Sequence, residues 1–120
     1  MSKHAHPKHS EESMEAMTPK RPNNIGKVRN IKSINGEPLQ YVVEDEIAIK
    51  QGSGKLIYLQ KIKHTKPVTK VEYRFCYYMI GVKEGAKGRW VFGQYALMIP
   101  TPALKKLVSS AREKGWDIFD

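Results

Sequence analysis

The sequence predicts an α+β domain: an antiparallel, meander-like sheet of about five strands, followed by one C-terminal helix packed on it. Two aromatic, apolar runs, residues 71–80 and 90–99, carry Tyr73, Phe75, Tyr77, Tyr78, Trp90, Phe92 and Tyr95 and read as a long β-hairpin. The stretch between them, 81–89, supplies three glycines and a basic tip. Residues 101–115 then show helical spacing between a proline and a glycine. Strands first and a helix last is the order of an α+β fold, and the alternating strand–helix order of a doubly wound nucleotide-binding fold is absent.

The length of 120 residues sets one domain with a modest core. Residues 1–24 contain Pro7, Pro19 and Pro22 and no apolar periodicity, so a disordered tail is expected there, with the domain spanning 25–120. His4, His6 and His9 have a spacing that could touch a metal, but without a scaffold they read as adventitious, and no metal is expected.

Residues 27–34 carry Val28, Ile31 and Ile34 and run into Asn35-Gly36, a pair suited to the positive φ angles of a type I′ turn. After Pro38, Leu39, Tyr41 and Val43 alternate with polar residues, giving a strand with one apolar face. Glu44-Asp45-Glu46 is expected to end that strand, with Ile47 and Ile49 as a brief extension and 51–54 as a flexible loop. Residues 55–64 form the third strand, with Leu56, Tyr58 and Ile62 on one side and Ile57, Leu59, Lys61 and Lys63 on the other. Pro67 lacks an amide hydrogen and interrupts it. In the fourth strand Val71, Tyr73, Phe75, Tyr77 and Met79 share an apolar face, opposite Glu72, Arg74, Cys76, Tyr78 and Ile80. The fifth, 90–99, is apolar on both sides, which predicts a central position with cover on both faces. In the helix, Thr101 suits the N-cap and Pro102 the first turn; Leu104, Leu107, Val108 and Ala111 form a stripe. Gly115 suits the left-handed residue that ends the helix, with Trp116 folding back on the last turn.

The chain carries a net charge of +9. Between residues 47 and 71 there are six lysines and no acidic residue. A patch of that kind attracts polyanions by releasing their condensed counterions. One cysteine, Cys76, excludes an internal disulfide and fits a reducing compartment. No run is long and apolar enough to span a bilayer, so a cytoplasmic protein without membrane contact is expected.

No reaction is named by the motifs. Gly52-Ser53-Gly54-Lys55 and Gly85-Ala86-Lys87-Gly88 lack the spacing of a phosphate-binding loop and are not followed by helices. Cys76 and His64 have no local nucleophile signature, and a buried packing role fits the cysteine better. Glu44, Asp45, Glu46 and Glu72 are the only carboxylates that could serve a metal-dependent nuclease, and the accompanying lysine spacing is missing. The expectation is a protein that is not an enzyme and uses no cofactor. What remains is a basic and aromatic combination. Lys61, Lys63, Lys66 and Lys70 precede Arg74 on consecutive strands; Lys83, Lys87 and Arg89 crowd the hairpin tip; Tyr78, Trp90 and Tyr95 are candidate stacking platforms. Single-stranded DNA or RNA is bound by such sets, cations tracking the backbone and rings stacking on bases. The same lysines could instead guard sheet edges. The alternative expectation is a homodimer or a protein-interaction module using the two-faced apolar run 90–99. Strands followed by one helix is an order similar to that of the Whirly and positive-cofactor groups of single-stranded-DNA binders; the likeness is topological and carries no residues over.

Overall fold

The computed structural model describes residues 20–118. Five strands form one antiparallel sheet in sequence order: β1 (Val28–Lys32), β2 (Pro38–Gln51), β3 (Lys55–Lys66), β4 (Lys70–Ile80) and β5 (Trp90–Phe92), followed by helix α1 (Thr101–Glu113). The α+β meander with a terminal helix is as the patterning predicts. The expected tail over 1–24 and the histidines at 4, 6 and 9 fall outside the described residues up to 19. Residues 20–24 depart from the expectation, because they lie against the sheet. The Tyr58 hydroxyl donates to the Pro22 carbonyl at 2.6 Å, and the buried Asn24 donates to the Glu46 carboxylate through its backbone N–H at 2.8 Å and its Nδ2 at 3.3 Å.

The middle strand is β3, and it is buried on both faces: Leu56, Ile57, Tyr58, Leu59 and Gln60 are all inaccessible. Two-sided burial was expected of 90–99 instead. That run forms a strand only over Trp90–Phe92, at the sheet edge. The cause is Gly93. Its N–H donates to the Tyr77 carbonyl at 2.7 Å, and its missing side chain lets the backbone lie on the Tyr77 ring. The chain then leaves the edge and carries Leu97 and Ile99 under the helix.

Nor does Glu44-Asp45-Glu46 end β2, which continues for 14 residues. A register shift between Val43 and Asp45 absorbs one extra residue as a β-bulge. The bulge reverses the parity of the strand. Tyr41 and Val43 lie on one face with Ile62, whereas Ile47 and Ile49 beyond the bulge lie on the other. An acidic triplet that looks like a break in alternation is therefore a switch of faces within one strand.

The helix covers one face. Leu107 and Ala111, both fully buried, pack with Ile47, Ile57, Leu59 and Trp116. Thr101 is the first helical residue rather than the cap; Pro100 precedes it and no side chain caps the end. At the far end Gly115 takes φ +77°, a left-handed conformation that costs glycine little, and the Trp116 N–H returns to the Ala111 carbonyl at 3.0 Å. Lys114 reaches Asp45 at 3.1 Å. Burial works to raise the Asp45 carboxyl, but bonds from Lys114 and the Glu46 backbone hold it below the usual carboxylate range.

Asn35-Gly36 does mark the β1–β2 connection, but not as a type I′ turn. No residue other than glycine has positive φ among the described residues, and the Ser33 hydroxyl accepts the Asn35 and Glu37 N–H groups to close the loop.

Candidate functional site

The face away from the helix is curled and carries a polar network at its centre. Cross-strand pairing puts Arg29, Tyr41, Gln60 and Arg74 on this face, as Arg29 opposes Tyr41 and Gln60 opposes Arg74. Tyr78 opposes Phe92 on the same side. The curl brings the two edge strands toward one cavity of about 260 Å³, lined by Asn24, Arg29, Tyr41, Val43, Arg74, Tyr78 and Phe92.

Arg74 occupies the middle. Its Nε and Nη2 donate to Gln60 Oε1 at 2.9 and 2.6 Å, and Nη1 donates to the Tyr41 hydroxyl at 3.1 Å. Its guanidinium carbon lies 5.7 Å from the centre of the Tyr41 ring and 5.8 Å from that of Phe92. Gln60, itself buried, passes the polarity on: its Nε2 donates to Glu46 at 2.9 Å, and Glu46 accepts from Asn24. The charge of Arg74 is thus separated from Glu46 by a neutral amide, and Arg74 makes no ion pair within 4 Å among the described residues. A guanidinium has five N–H groups. Three bond to Gln60 and Tyr41 and one faces the Cys76 thiol, which leaves at least one for a ligand.

A second hollow of about 270 Å³ borders the first, sharing Tyr41 and Arg74 and adding His64 and Glu72. His64 Nε2 meets Glu72 Oε1 at 2.6 Å, and its ring packs against Tyr41. Cys76 is buried; desolvation, partly offset by the Arg74 guanidinium, pushes its thiol up to about 11. His64 pairs with Lys70, six positions along β4 from Cys76, or roughly 20 Å at strand rise. The two make no nucleophile–base pair. The carboxylates also do not gather: Glu44 pairs with Lys61, Asp45 with Lys114, Glu46 with Asn24 and Gln60, and Glu72 with His64 and Lys70. Among the described residues no three His, Cys, Asp or Glu side chains are placed to hold a metal ion.

The predicted site residues divide into groups. Arg74 and Tyr78 line the cavity, and Trp90 packs beside Tyr78 on the same face. Lys70 lies at the start of β4 near Glu72, and Lys66 ends β3. Lys61 and Lys63 project from the helix face, where Lys61 is held by Glu44 at 3.2 Å. Lys83, Lys87 and Arg89 are exposed in the tip loop, and Tyr95 is exposed beside it with its N–H on the Tyr77 hydroxyl. The lysines and Arg74 are consequently not one continuous sheet face. Arg29, Tyr41, Asn24 and Phe92 complete the cavity and were not singled out from the sequence. Arg29 was reachable, since a hairpin through Asn35-Gly36 sets it near Tyr41; Asn24 was hidden by the assumption of a tail through that residue.

No family model, curated protein or solved structure matches this chain. No helix among the described residues is long and apolar enough to cross a membrane.

Proposed function

We propose that the protein is a non-enzymatic module that binds single-stranded nucleic acid across the curled sheet face opposite the helix. The observation that carries this reading is Arg74. A guanidinium without a carboxylate partner among the described residues, set between the rings of Tyr41 and Phe92 at the floor of an open cavity, offers a cation and flat apolar surfaces together. Phosphate pairing and base stacking need that combination. Arg29 adds a second cation at the rim, and the +9 net charge favours polyanions at long range. Lys83, Lys87 and Arg89, exposed in the tip loop, add to the long-range attraction.

Fluorescence anisotropy with labelled single-stranded and duplex oligonucleotides tests it. Binding should weaken with salt, log K falling by about 0.7 per phosphate contacted for each tenfold rise in salt. Arg74→Ala, Arg29→Ala or Phe92→Ala should each weaken binding about fivefold to a hundredfold, and Lys63→Ala on the opposite face less than about twofold. Absence of binding at low salt, or affinity indifferent to salt, refutes the reading.

One observation favours a second reading, a protein-interaction module. A shallow apolar hollow of about 490 Å³ lies on the helix side of the hairpin, beyond the reach of the helix. Met79, Val82, Val91 and Tyr95 are exposed in it. Retention of full nucleic-acid affinity by a Val91→Lys variant separates that surface from the cavity of Arg74.

A further inference from the structure

A different part of the molecule, the outer edge of β4, points to a self-association surface. β4 pairs with β3 along its length on one side. On the other side β5 reaches only Tyr78–Ile80, because the chain turns away at Gly93. Among the described residues, 70–76 therefore meet no strand on that side. Such an edge presents a row of unpaired N–H and C=O groups.

The orientation of those groups can be fixed. The Gly93 N–H donates to the Tyr77 carbonyl, and the Gly81 N–H to the Arg89 carbonyl, both across the outer edge, whereas the Ile80 N–H donates inward to Gly54. Antiparallel pairing alternates along a strand. Val71, Tyr73 and Phe75 therefore aim their backbone groups outward, as Tyr77 does. These are the groups that a further strand would bond.

The sequence here is self-complementary. If a second β4 lies antiparallel with Tyr73 opposite Tyr73, then Val71 faces Phe75 and Glu72 faces Arg74, once on each side of the two-fold axis. The three outward residues of each copy fall on outward residues of the other, so their N–H and C=O groups close as hydrogen-bonded pairs. Both apolar members are part-exposed in one chain, Val71 at 46% and Phe75 at 43%. Neighbouring registers are worse. Centring on Glu72 sets Glu72 against Glu72 and Lys70 against Arg74; centring on Arg74 sets Arg74 against Arg74. Opposite charges directly across two strands stabilise and like charges destabilise. Of these three registers only the one on Tyr73 pairs opposite charges; a register on Val71 would set Lys70 against Glu72, but it carries Phe75 past the start of β4 to Pro67. The Tyr73 register also satisfies an isologous two-fold contact, in which the same patch serves both copies.

We propose that two copies of this chain join along β4, centred on Tyr73, into one continuous sheet. The proposal does not rest on nucleic-acid binding; it stands on the open edge and its charge pattern. It brings the two Arg74 cavities onto one shared face, each guanidinium staying turned inward on Gln60 and Tyr41 while the second copy's Glu72 lies across the outer edge of the strand.

Sedimentation equilibrium of the full chain over a concentration series, up to about 100 µM, reads the mass against the 13.7 kDa of one copy. The expected result is a mass approaching twice that value. Val71→Pro removes an outward N–H that no bond uses among the described residues of a single copy, and should weaken association at least tenfold. Glu72→Arg sets like charges across the axis and should do the same; adding Arg74→Glu reverses the pair and should restore the doubled mass. Circular dichroism confirms that each variant is folded, and if Val71→Pro is not, Glu72→Arg decides, since its side chain is more than half exposed. A wild-type chain that stays at single mass throughout overturns the proposal. So does a dimer that neither Val71→Pro nor Glu72→Arg weakens, which would place the contact elsewhere.

Discussion

Gly93→Ala is the substitution that most directly tests how the sheet ends. A Cβ at this position would fall on Cζ, Cε1 and Cε2 of the Tyr77 ring, an overlap of more than about 1 Å against the normal approach of two carbons. The ring cannot yield freely. It is buried, the Lys55 ammonium lies 5.2 Å from its centre, and its hydroxyl accepts the Tyr95 N–H at 3.1 Å. Overpacking of this kind costs about 1–3 kcal/mol, and loss of the Tyr95 bond adds about 1 kcal/mol. The expected destabilisation is about 2–4 kcal/mol, or a fall in Tm of roughly 8–16 °C for a domain of this size. Urea denaturation followed by tryptophan fluorescence measures it. In a Tyr77→Leu background the same change should cost less than about 1 kcal/mol, because the atoms it strikes are gone. A Gly93→Ala chain within about 0.5 kcal/mol of wild type would refute the account of why the chain leaves the edge after Phe92.

Two other predictions concern the core. Leu107→Ala, at a fully buried helix position, should cost about 2–5 kcal/mol in chemical denaturation, whereas Leu104→Ala, 39% exposed, should cost less than about 1 kcal/mol. The raised Cys76 thiol predicts a pH dependence. With a folded value of about 11 the group stays protonated after the unfolded chain has begun to ionise, so its contribution is intact below about pH 8.5 and is lost as pH rises toward 11. Half-buried Tyr78 shifts upward as well, by desolvation, and acts in the same direction. Urea midpoints at pH 7, 9 and 11 should therefore decline by an amount that Cys76→Ala reduces but does not abolish. A chain equally stable at pH 7 and 11 contradicts the burial of the thiol.

Element types were legible where a local pattern dictated them. The β3 alternation, the Leu107–Ala111 stripe and the Gly115–Trp116 ending each follow from spacing within a few residues. What was not legible depended on contacts far apart in sequence. The bulge at Glu44 pays no local signal beyond a broken alternation, and only its pairing with β3 shows that the strand continues with its faces exchanged. The run 90–99 has the composition of a buried strand, but Gly93 finds the Tyr77 ring and the chain spends its apolar residues under the helix instead. The site was half legible for the same reason. Arg74 and Tyr78 stood out as a cation and an aromatic on one strand. Arg29, Tyr41 and Phe92 join them only because the sheet curls, and a curl is a property of five strands together.

The same curl explains how Arg74 can be both fixed and available. A cation on a flat, solvated sheet would keep its hydration and its rotamer freedom. Here Gln60 takes two of its N–H groups, Tyr41 takes a third, and two rings restrict the plane of the guanidinium. A direct salt bridge to Glu46 would neutralise it and leave little field for an anion. The interposed Gln60 amide orients Arg74 while keeping Glu46 one residue away, bonded instead to Asn24. Partial burial strengthens the field of an unneutralised cation toward an incoming anion, and a pre-set side chain loses less entropy on binding. The 20–24 segment is part of that arrangement: without Asn24, Glu46 would lose two donors and be free to turn toward the cation that Gln60 now separates from it.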